Sequence, residues 1–78
     1  MLERRITLAD VRSVLDDGEV IERYTDDAPF ASRLMLGWSG GRPLHVVAAD
    51  DNGSTYVITA YEPDVTEWTP DFKTRRRA

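Results

Sequence analysis

The apolar positions near the start of the chain recur at helical spacing and predict one amphipathic helix over residues 7–17. The stripe that they form consists of Leu8, Val11, Val14 and Leu15. Thr7 fits the N-cap position, and the carboxylate of Asp10 three residues later is placed to accept from exposed amide groups. We expect Gly18 to end the helix in the left-handed conformation. Since a helix of about ten residues is marginal in water, its stripe must pack on the rest of the chain.

The remaining apolar residues fall into extended segments that predict four β-strands, separated by clusters of Gly, Pro, Asp and Asn. The predicted strands are Glu19 to Tyr24, Arg33 to Trp38, Pro43 to Asp50 and Thr55 to Glu62. Short connections favour antiparallel neighbours, so we predict an α+β fold with one N-terminal helix packed on a four-stranded antiparallel meander sheet. Residues 1–78 form a single domain: the helix, a sheet over 19–62, and a capping segment and basic tail over 63–78. In that last segment, Trp68 and Phe72 are expected to close one end of the core.

The hairpin around Asn52-Gly53 has two plausible registers, which place His45 differently. A two-residue type I′ loop pairs His45 with Ala60 and puts Thr59 and Tyr61 on the other face. One extra loop residue, or a bulge after Gly53, pairs His45 with Thr59 and leaves Tyr61 diagonal to it. We favour the bulged register because it gathers apolar side chains beneath the helix. The helix face then carries Val46, Ala48, Ile58 and Ala60, and the other face carries His45, Val47, Val57, Thr59 and Tyr61.

The composition limits the metal sites and catalytic groups that the chain can offer. The chain of 78 residues has no cysteine and one histidine, which argues against a structural zinc site, and we predict neither a metal nor another cofactor. His45 is the one side chain suited to proton transfer near neutral pH. No stretch approaches the roughly 20 apolar residues of a membrane span, and the start is charged rather than leader-like, so we expect a cytoplasmic protein with no membrane partner.

Charge is unevenly distributed along the chain. Residues 73–77 contain Lys73, Arg75, Arg76 and Arg77 without an acid, whereas residues 1–72 carry all 14 acids and a net charge of −8. Such a tail either binds RNA phosphates or is a solvated chain end that aids solubility. We favour the second interpretation, because the acidic body would repel a polyanion elsewhere.

Several short motifs follow one another along the chain in an order and at a spacing that can be compared with those of known families. They are Arg4-x-Ile6-Thr7, Gly18-Glu19-Val20-Ile21-Glu22-x-Tyr24, Leu34-x-Leu36-Gly37, Pro43-Leu44-His45-Val46-Val47, Ile58-Thr59-x-Tyr61-x-Pro63, Trp68 and Lys73-x-Arg75-Arg76. In order and spacing they resemble the bacterial domain of unknown function 4258. The resemblance implies a distant relation to messenger-RNA-cleaving toxins of type II toxin–antitoxin systems with a RelE-like fold. It also implies a small zinc-finger antitoxin-like protein, and RNA or the ribosome, as partners.

The resemblance also implies roles for individual residues in a metal-independent endoribonuclease. His45 would be the acid or base, Tyr61 would orient or donate a proton, and Thr59 would hydrogen-bond the histidine. The cations that would hold phosphate are Arg42, Lys73, Arg75 and Arg76. The alternative interpretation is structural: a strand histidine hydrogen-bonded within the sheet, a partly buried tyrosine and a solvated Arg42.

A second class of function stays open. Relatives commonly begin with an additional N-terminal helix, and Met1 falls where an internal Met of that region would be. Loss of a helix would uncover apolar sheet surface and favour a homodimer or other homo-oligomer. The acidic body and the concentration of basic groups in the tail favour a non-catalytic protein-binding module or scaffold on the same fold.

Overall fold

A computed structural model describes residues 5–24, 31–51 and 53–76. Its elements are the helix α1 (Leu8–Asp17) and the strands β1 (Glu19–Tyr24), β2 (Ser32–Ser39), β3 (Arg42–Asp51) and β4 (Ser54–Tyr61). The strands form one antiparallel sheet in the order β1-β2-β3-β4, which confirms the predicted α+β meander with the helix packed on it. In these ranges, no helix is long and apolar enough to cross a membrane. The predicted turn at 26–29, Asn52 and Arg77 lie outside the described residues.

The start of α1 has the predicted capping box. The amide of Asp10 donates to Thr7 Oγ1 at 3.1 Å, and the amide of Thr7 donates to Asp10 Oδ2 at 3.0 Å. Asp10 also accepts a hydrogen bond of 2.7 Å from Ser39 Oγ and lies 3.5 Å from Arg42 Nη2. The hydrogen bond from the Thr7 amide, followed by that from Ser39, lowers the pKa of the Asp10 carboxyl. One carboxylate therefore caps the helix and ties it to the turn between β2 and β3.

The apolar stripe of α1 is only partly as predicted. Val11 and Val14 are buried and Leu15 is partly buried, but Leu8 is 78% exposed, so its assignment to the core is wrong. The chain enters the helix through an extended Thr7, with φ −95° and ψ 165°. This direction of entry buries Ile6 in the core while the first helical residue remains in solvent.

Two glycines bring α1 close to the sheet. Gly18 is extended, with φ −76° and ψ 173°, so the predicted left-handed helix end is wrong. A Cβ at Gly18 would instead lie 2.4 Å from Val14 O and 2.8 Å from Leu36 O. A Cβ at Gly37 would lie 2.5 Å from Val14 Cγ2. Both positions need a residue without a side chain because Val14 occupies the space above them.

The register of the β3–β4 hairpin combines features of both predicted versions. Asp51 pairs with Ser54 around a two-residue loop, but the register shifts further along, so that Ala48 pairs with Val57 and Val47 with Thr59. The shift leaves Ile58 as an extra residue in the middle of β4, and not directly after Gly53.

This shift decides which side chains share a face with the histidine. His45 pairs with Tyr61, so the predicted pairing of His45 with Thr59 is wrong. The predicted grouping of His45, Thr59 and Tyr61 on one face is confirmed, because directly opposed and alternate residues point the same way. The helix face carries Val57 opposite Ala48, in place of the predicted Ile58.

The sheet is covered on both faces. The core between α1 and the sheet consists of Ile6, Val11, Val14, Met35, Leu44, Val46, Ala48 and Ala60. Residues 63–76, here called the cover segment, fold back over the opposite face, where Trp68 is buried against His45. The segment therefore forms a third layer and does not close an end of the core. Its basic part does not leave the domain either, because Trp68 and Arg75 form an antiparallel bridge.

We predict that Gly37→Ala destabilises the fold by about 1–3 kcal/mol, because the new methyl group overlaps Val14. The measurement is urea unfolding of the single variants Gly37→Ala and Val14→Ala and of the double variant. Removing Val14 Cγ2 makes room for the methyl group, so the double variant should lose less stability than the sum of the singles, by at least about 0.5 kcal/mol. Strict additivity would show that this contact does not set the distance between helix and sheet.

Candidate functional site

His45 lies near the middle of the sheet and has no exposed surface. The sheet lies below its ring and the cover segment above it, with the Trp68 ring at 4.4 Å between centroids and nearly perpendicular. The Tyr61 ring lies 5.4 Å away, also edge to face. Buried Trp68 and half-buried Tyr61 thus pack against the only histidine of the chain.

Both ring nitrogens of His45 have partners inside the protein. Nε2 lies 2.9 Å from the carbonyl oxygen of Phe72, and Nδ1 lies 3.3 Å from the hydroxyl of Tyr61. Because a carbonyl oxygen only accepts, Nε2 carries the proton and donates to Phe72. In the neutral ring Nδ1 then accepts from the Tyr61 hydroxyl. A base needs a lone pair that faces its substrate, and here that lone pair faces another side chain of the protein.

Burial shifts both groups toward their neutral forms. It lowers the pKa of His45, against the smaller opposing effects of the Phe72 carbonyl and the Glu22 charge. It also raises the pKa of the Tyr61 hydroxyl. At neutral pH the pair is an imidazole hydrogen-bonded to a phenol, and Tyr61 is not activated as a nucleophile.

The structure brings together part of the predicted catalytic set. His45 contacts Tyr61, and half-buried Thr59 lies on the same face opposite Val47, two pairs nearer the hairpin turn. Tyr61 and Phe72 take up both ring nitrogens of the histidine. The catalytic roles of the three residues stay predictions.

The Phe72 carbonyl is a part of the site that sequence reasoning missed. Phe72 has φ 60°, an unusual left-handed conformation for a residue other than glycine. Asp71 supports this turn by accepting from Thr69 Oγ1 and from the amide of Lys73. The Phe72 ring packs edge to face against Trp38, with 6.0 Å between ring centroids. The only signal in the sequence was the turn-forming Pro70-Asp71, which does not indicate where a carbonyl points.

Ion pairs join the cover segment to the acidic edge strand β1. Arg75 contacts Glu22 at 3.3 Å, and its guanidinium lies 4.6 Å from the centre of the Trp68 ring. Lys73 Nζ contacts Glu19 Oε1 at 3.1 Å. The family resemblance predicts that these cations bind phosphate, and here each is paired with a carboxylate of its own chain.

The other two predicted RNA-binding cations also have partners within the protein. Arg76 Nε donates to the carbonyl oxygens of Trp68 at 2.6 Å and Val65 at 3.1 Å. Arg42 donates to the Arg5 carbonyl at 2.8 Å, besides its contact with Asp10 at the start of the helix. Arg42 therefore binds on the helix side of the molecule and does not join the three cations of the cover segment. Its prediction as a solvated loop charge is wrong.

Among the described residues, no three His, Asp or Glu side chains lie close enough together to hold a metal ion. The sequence model of one protein family, described as a domain of unknown function (DUF4258), matches residues 1–62. The chain belongs to the DUF4258 family. The matched region contains His45, Thr59 and Tyr61 and ends before the cover segment of this DUF4258 protein. Neither the curated proteins nor the solved structures include a match. The relation to RelE-like toxins stays a prediction.

We predict that His45 makes the fold less stable as the pH falls below about 6.5. Its pKa is lowered in the folded state, so the unfolded chain takes up the proton more readily. The stabilisation is complete above the unfolded pKa and is lost on the acid side, with a slope of at most about 1.4 kcal/mol per pH unit. Urea unfolding at pH 7.5 and 5.5 should show a steeper loss for the wild type than for His45→Gln. Equal losses would mean that the folded protein accommodates a charged His45.

We also predict that Trp68, rather than the ion pairs, holds the cover segment in place. Trp68→Ala should cost about 3–5 kcal/mol, because it removes a buried ring from above His45. Arg75→Gln should cost about 1 kcal/mol or less, since the arginine side chain is 59% exposed. Chemical denaturation measures both, and Trp68→Phe is a milder variant should the alanine variant fail to fold. A larger loss for Arg75→Gln than for Trp68→Phe would contradict this ranking.

Proposed function

We propose that this DUF4258 protein is a non-catalytic protein-binding module and that β4 is the strand on which its partner docks. The observation that carries the proposal is a contrast between two parts of one hairpin. His45 on β3 is fully buried with both ring nitrogens hydrogen-bonded, whereas β4 exposes three consecutive apolar side chains. The one histidine is therefore enclosed, whereas the apolar side chains of β4 are accessible to a partner.

Strand β4 presents side chains suited to contact with another chain. It lies at one edge of the sheet, and no described strand lies on its far side. Its eight residues, Ser54–Tyr61, include no charge, glycine or proline, although charged residues make up 31% of the chain. The exposed fractions are 52% for Tyr56, 37% for Val57 and 52% for Ile58. Edge strands normally carry charge or proline, and the exposed apolar side chains of an edge strand that has neither offer a contact surface for a partner.

The opposite edge of the sheet is protected. Strand β1 carries Glu19, Glu22 and Arg23 among its six residues. Both glutamates hold cations of the cover segment. The contrast between the two edges supports β4 as the docking strand.

The charge distribution argues against RNA as the partner. Each of the four predicted phosphate-binding cations contacts carboxylate or carbonyl oxygens of its own chain. Binding a polyanion would require these contacts to be exchanged near an acidic body.

A ribonuclease of a type II toxin–antitoxin system is the second candidate, and the contact between His45 and Tyr61 favours it. In that function the Phe72 carbonyl would orient the imidazole, and half-buried Tyr61 would donate a proton to the substrate. The cover segment would have to open first. A small zinc-finger antitoxin-like protein as partner belongs to this proposal.

Photo-crosslinking tests docking on β4 before any partner is known. A photoreactive phenylalanine analogue replaces Tyr56 in one variant and Leu8, the most exposed of the large apolar residues described, in the control. In cells of the source organism we expect discrete protein adducts from position 56 only, and their loss when Ile58→Lys is added. Equal adducts from both positions, or none from position 56, would contradict docking on β4.

A ribonuclease assay tests the non-catalytic part of the proposal. Purified protein is incubated with ribosomes and messenger RNA, and we expect no cleavage. Cleavage by the wild type that Tyr61→Phe abolishes would overturn the proposal in favour of the toxin. That variant removes only the hydroxyl and keeps the ring that packs against His45.

A further inference from the structure

Strand β2 extends past the start of its neighbour β1. Glu19, the first residue of β1, pairs with Leu36, so residues 37–39 of β2 have no residue of β1 opposite them. The space beside them is a groove of about 360 Å³ between the end of α1, the Trp38 residue and the side of the cover segment at Lys73. Sites for small ligands begin at about 300 Å³, so the groove has room for a ligand of a few residues.

The backbone of Trp38 directs its polar groups toward this groove. The two glycines that follow β2 have φ 58° and 79°, as in a type I′ hairpin turn. Such a turn closes on a hydrogen-bonded pair, which here is Ser39 with Arg42. The next pair, Trp38 with Pro43, therefore exchanges no hydrogen bonds, and proline indeed has no N–H to donate. The N–H and C=O of Trp38 point away from β3, and neither has a partner among the described residues.

A chain that paired with Trp38 would have to end inside the groove. Gly18 and Glu19 occupy the continuation of the gap, because they lead from α1 into β1. An incoming strand beside Trp38 would meet these two residues head-on. The gap therefore fits the terminus of a chain better than an internal segment.

The charge around the groove decides which terminus fits. Among the described residues, no cation contacts Asp17, whereas Lys73 Nζ contacts Glu19 at 3.1 Å and offsets its charge. The last turn of α1 has no basic residue, and its carbonyl groups add a partial negative charge. The other charged residues of this part of α1, Arg12 and Asp16, offset each other. The groove thus keeps an excess of about one negative charge, which attracts an ammonium group and repels a carboxylate.

We infer that this groove binds the free amino terminus of a partner protein, at a site separate from β4. The terminal ammonium group lies against Asp17 and the end of α1. The first peptide groups hydrogen-bond with the N–H and C=O of Trp38, and the first side chains pack on its half-exposed ring. Together these contacts select a chain end over a lysine side chain, which has the charge but no adjacent peptide group.

Three peptides with a fluorophore at the carboxyl end test this inference on the full chain. The first is Ala-Val-Thr-Val-Ser with a free amino terminus. The second is acetylated and carries one Lys next to the fluorophore, so that it has the same charge in a different place. The third has a free amino terminus but proline at its second and third positions, which removes two N–H donors. By fluorescence anisotropy, we expect the first peptide to bind at least about tenfold more tightly than either of the others.

Matched protein variants place the peptide in the groove. Asp17→Asn should weaken binding of the first peptide by about tenfold or more, because it removes the charge that faces the ammonium group. Asp16→Asn makes the same change at the neighbouring position, which does not line the groove, and should alter binding less than about twofold. Ile58→Ser on β4 should also alter binding less than about twofold. Circular dichroism confirms that the three variants are folded.

The outcomes separate this inference from docking on β4. Equal binding of the first two peptides, or equal losses from Asp16→Asn and Asp17→Asn, would reveal mere attraction of a cation and overturn the inference. Binding of none of the peptides would overturn it as well. Loss of binding in Ile58→Ser would also overturn it, and would support β4 as the docking strand. Sedimentation velocity that shows a dimer dissociated by the first peptide would overturn the partner protein in favour of a second copy.

Discussion

The polar contact that allows the cover segment to lie on the sheet is one hydrogen bond, from His45 Nε2 to the Phe72 carbonyl. A buried imidazole without partners would cost several kcal/mol. The Phe72 carbonyl satisfies Nε2 here, while Tyr61 takes the remaining ring nitrogen. The irregular cover segment can therefore lie on the sheet in place of solvent, and Trp68 adds the apolar contact that makes this arrangement favourable. A chain of 78 residues thereby obtains three layers.

The packing of α1 on the sheet depends on available space rather than on polar contacts. Val14 packs where Gly18 and Gly37 provide no side chain, so the backbone of the helix comes close to β2. Asp10 fixes the other end of the helix at the turn between β2 and β3. The two constraints orient a helix that would be marginal by itself. The packing of α1 thus also holds β3, the strand of the hairpin that carries the histidine, in its place in the sheet.

The alternation of apolar and polar residues was sufficient to predict the elements. Every strand begins and ends within one residue of its predicted limits, and the capping box is as expected. Local patterns could not show that Ile6 would replace Leu8 in the core, because the direction of entry into the helix depends on tertiary packing. The bulge at Ile58 was equally hidden, since no turn residue marks it.

The site was less predictable than the fold for the same reason. Its decisive contacts are long-range: the Phe72 carbonyl is 27 residues from His45, and Arg75 is 53 residues from Glu22. The cover segment has no periodic pattern that would orient it. The histidine of the DUF4258 region could be predicted from sequence to lie on a sheet face with Tyr61, but not to be covered there by residues 63–76.

The uncharged edge strand also has a consequence for the isolated protein. Six to eight residues of high β-propensity without charge, glycine or proline form the kind of segment that assembles into cross-β fibrils. The negative charge on the rest of the chain keeps the molecules apart by electrostatic repulsion. Salt shortens the range of this repulsion, from about 10 Å at 0.1 M to about 3 Å at 1 M. High salt and the absence of a partner would therefore both favour insoluble aggregates that assemble through β4.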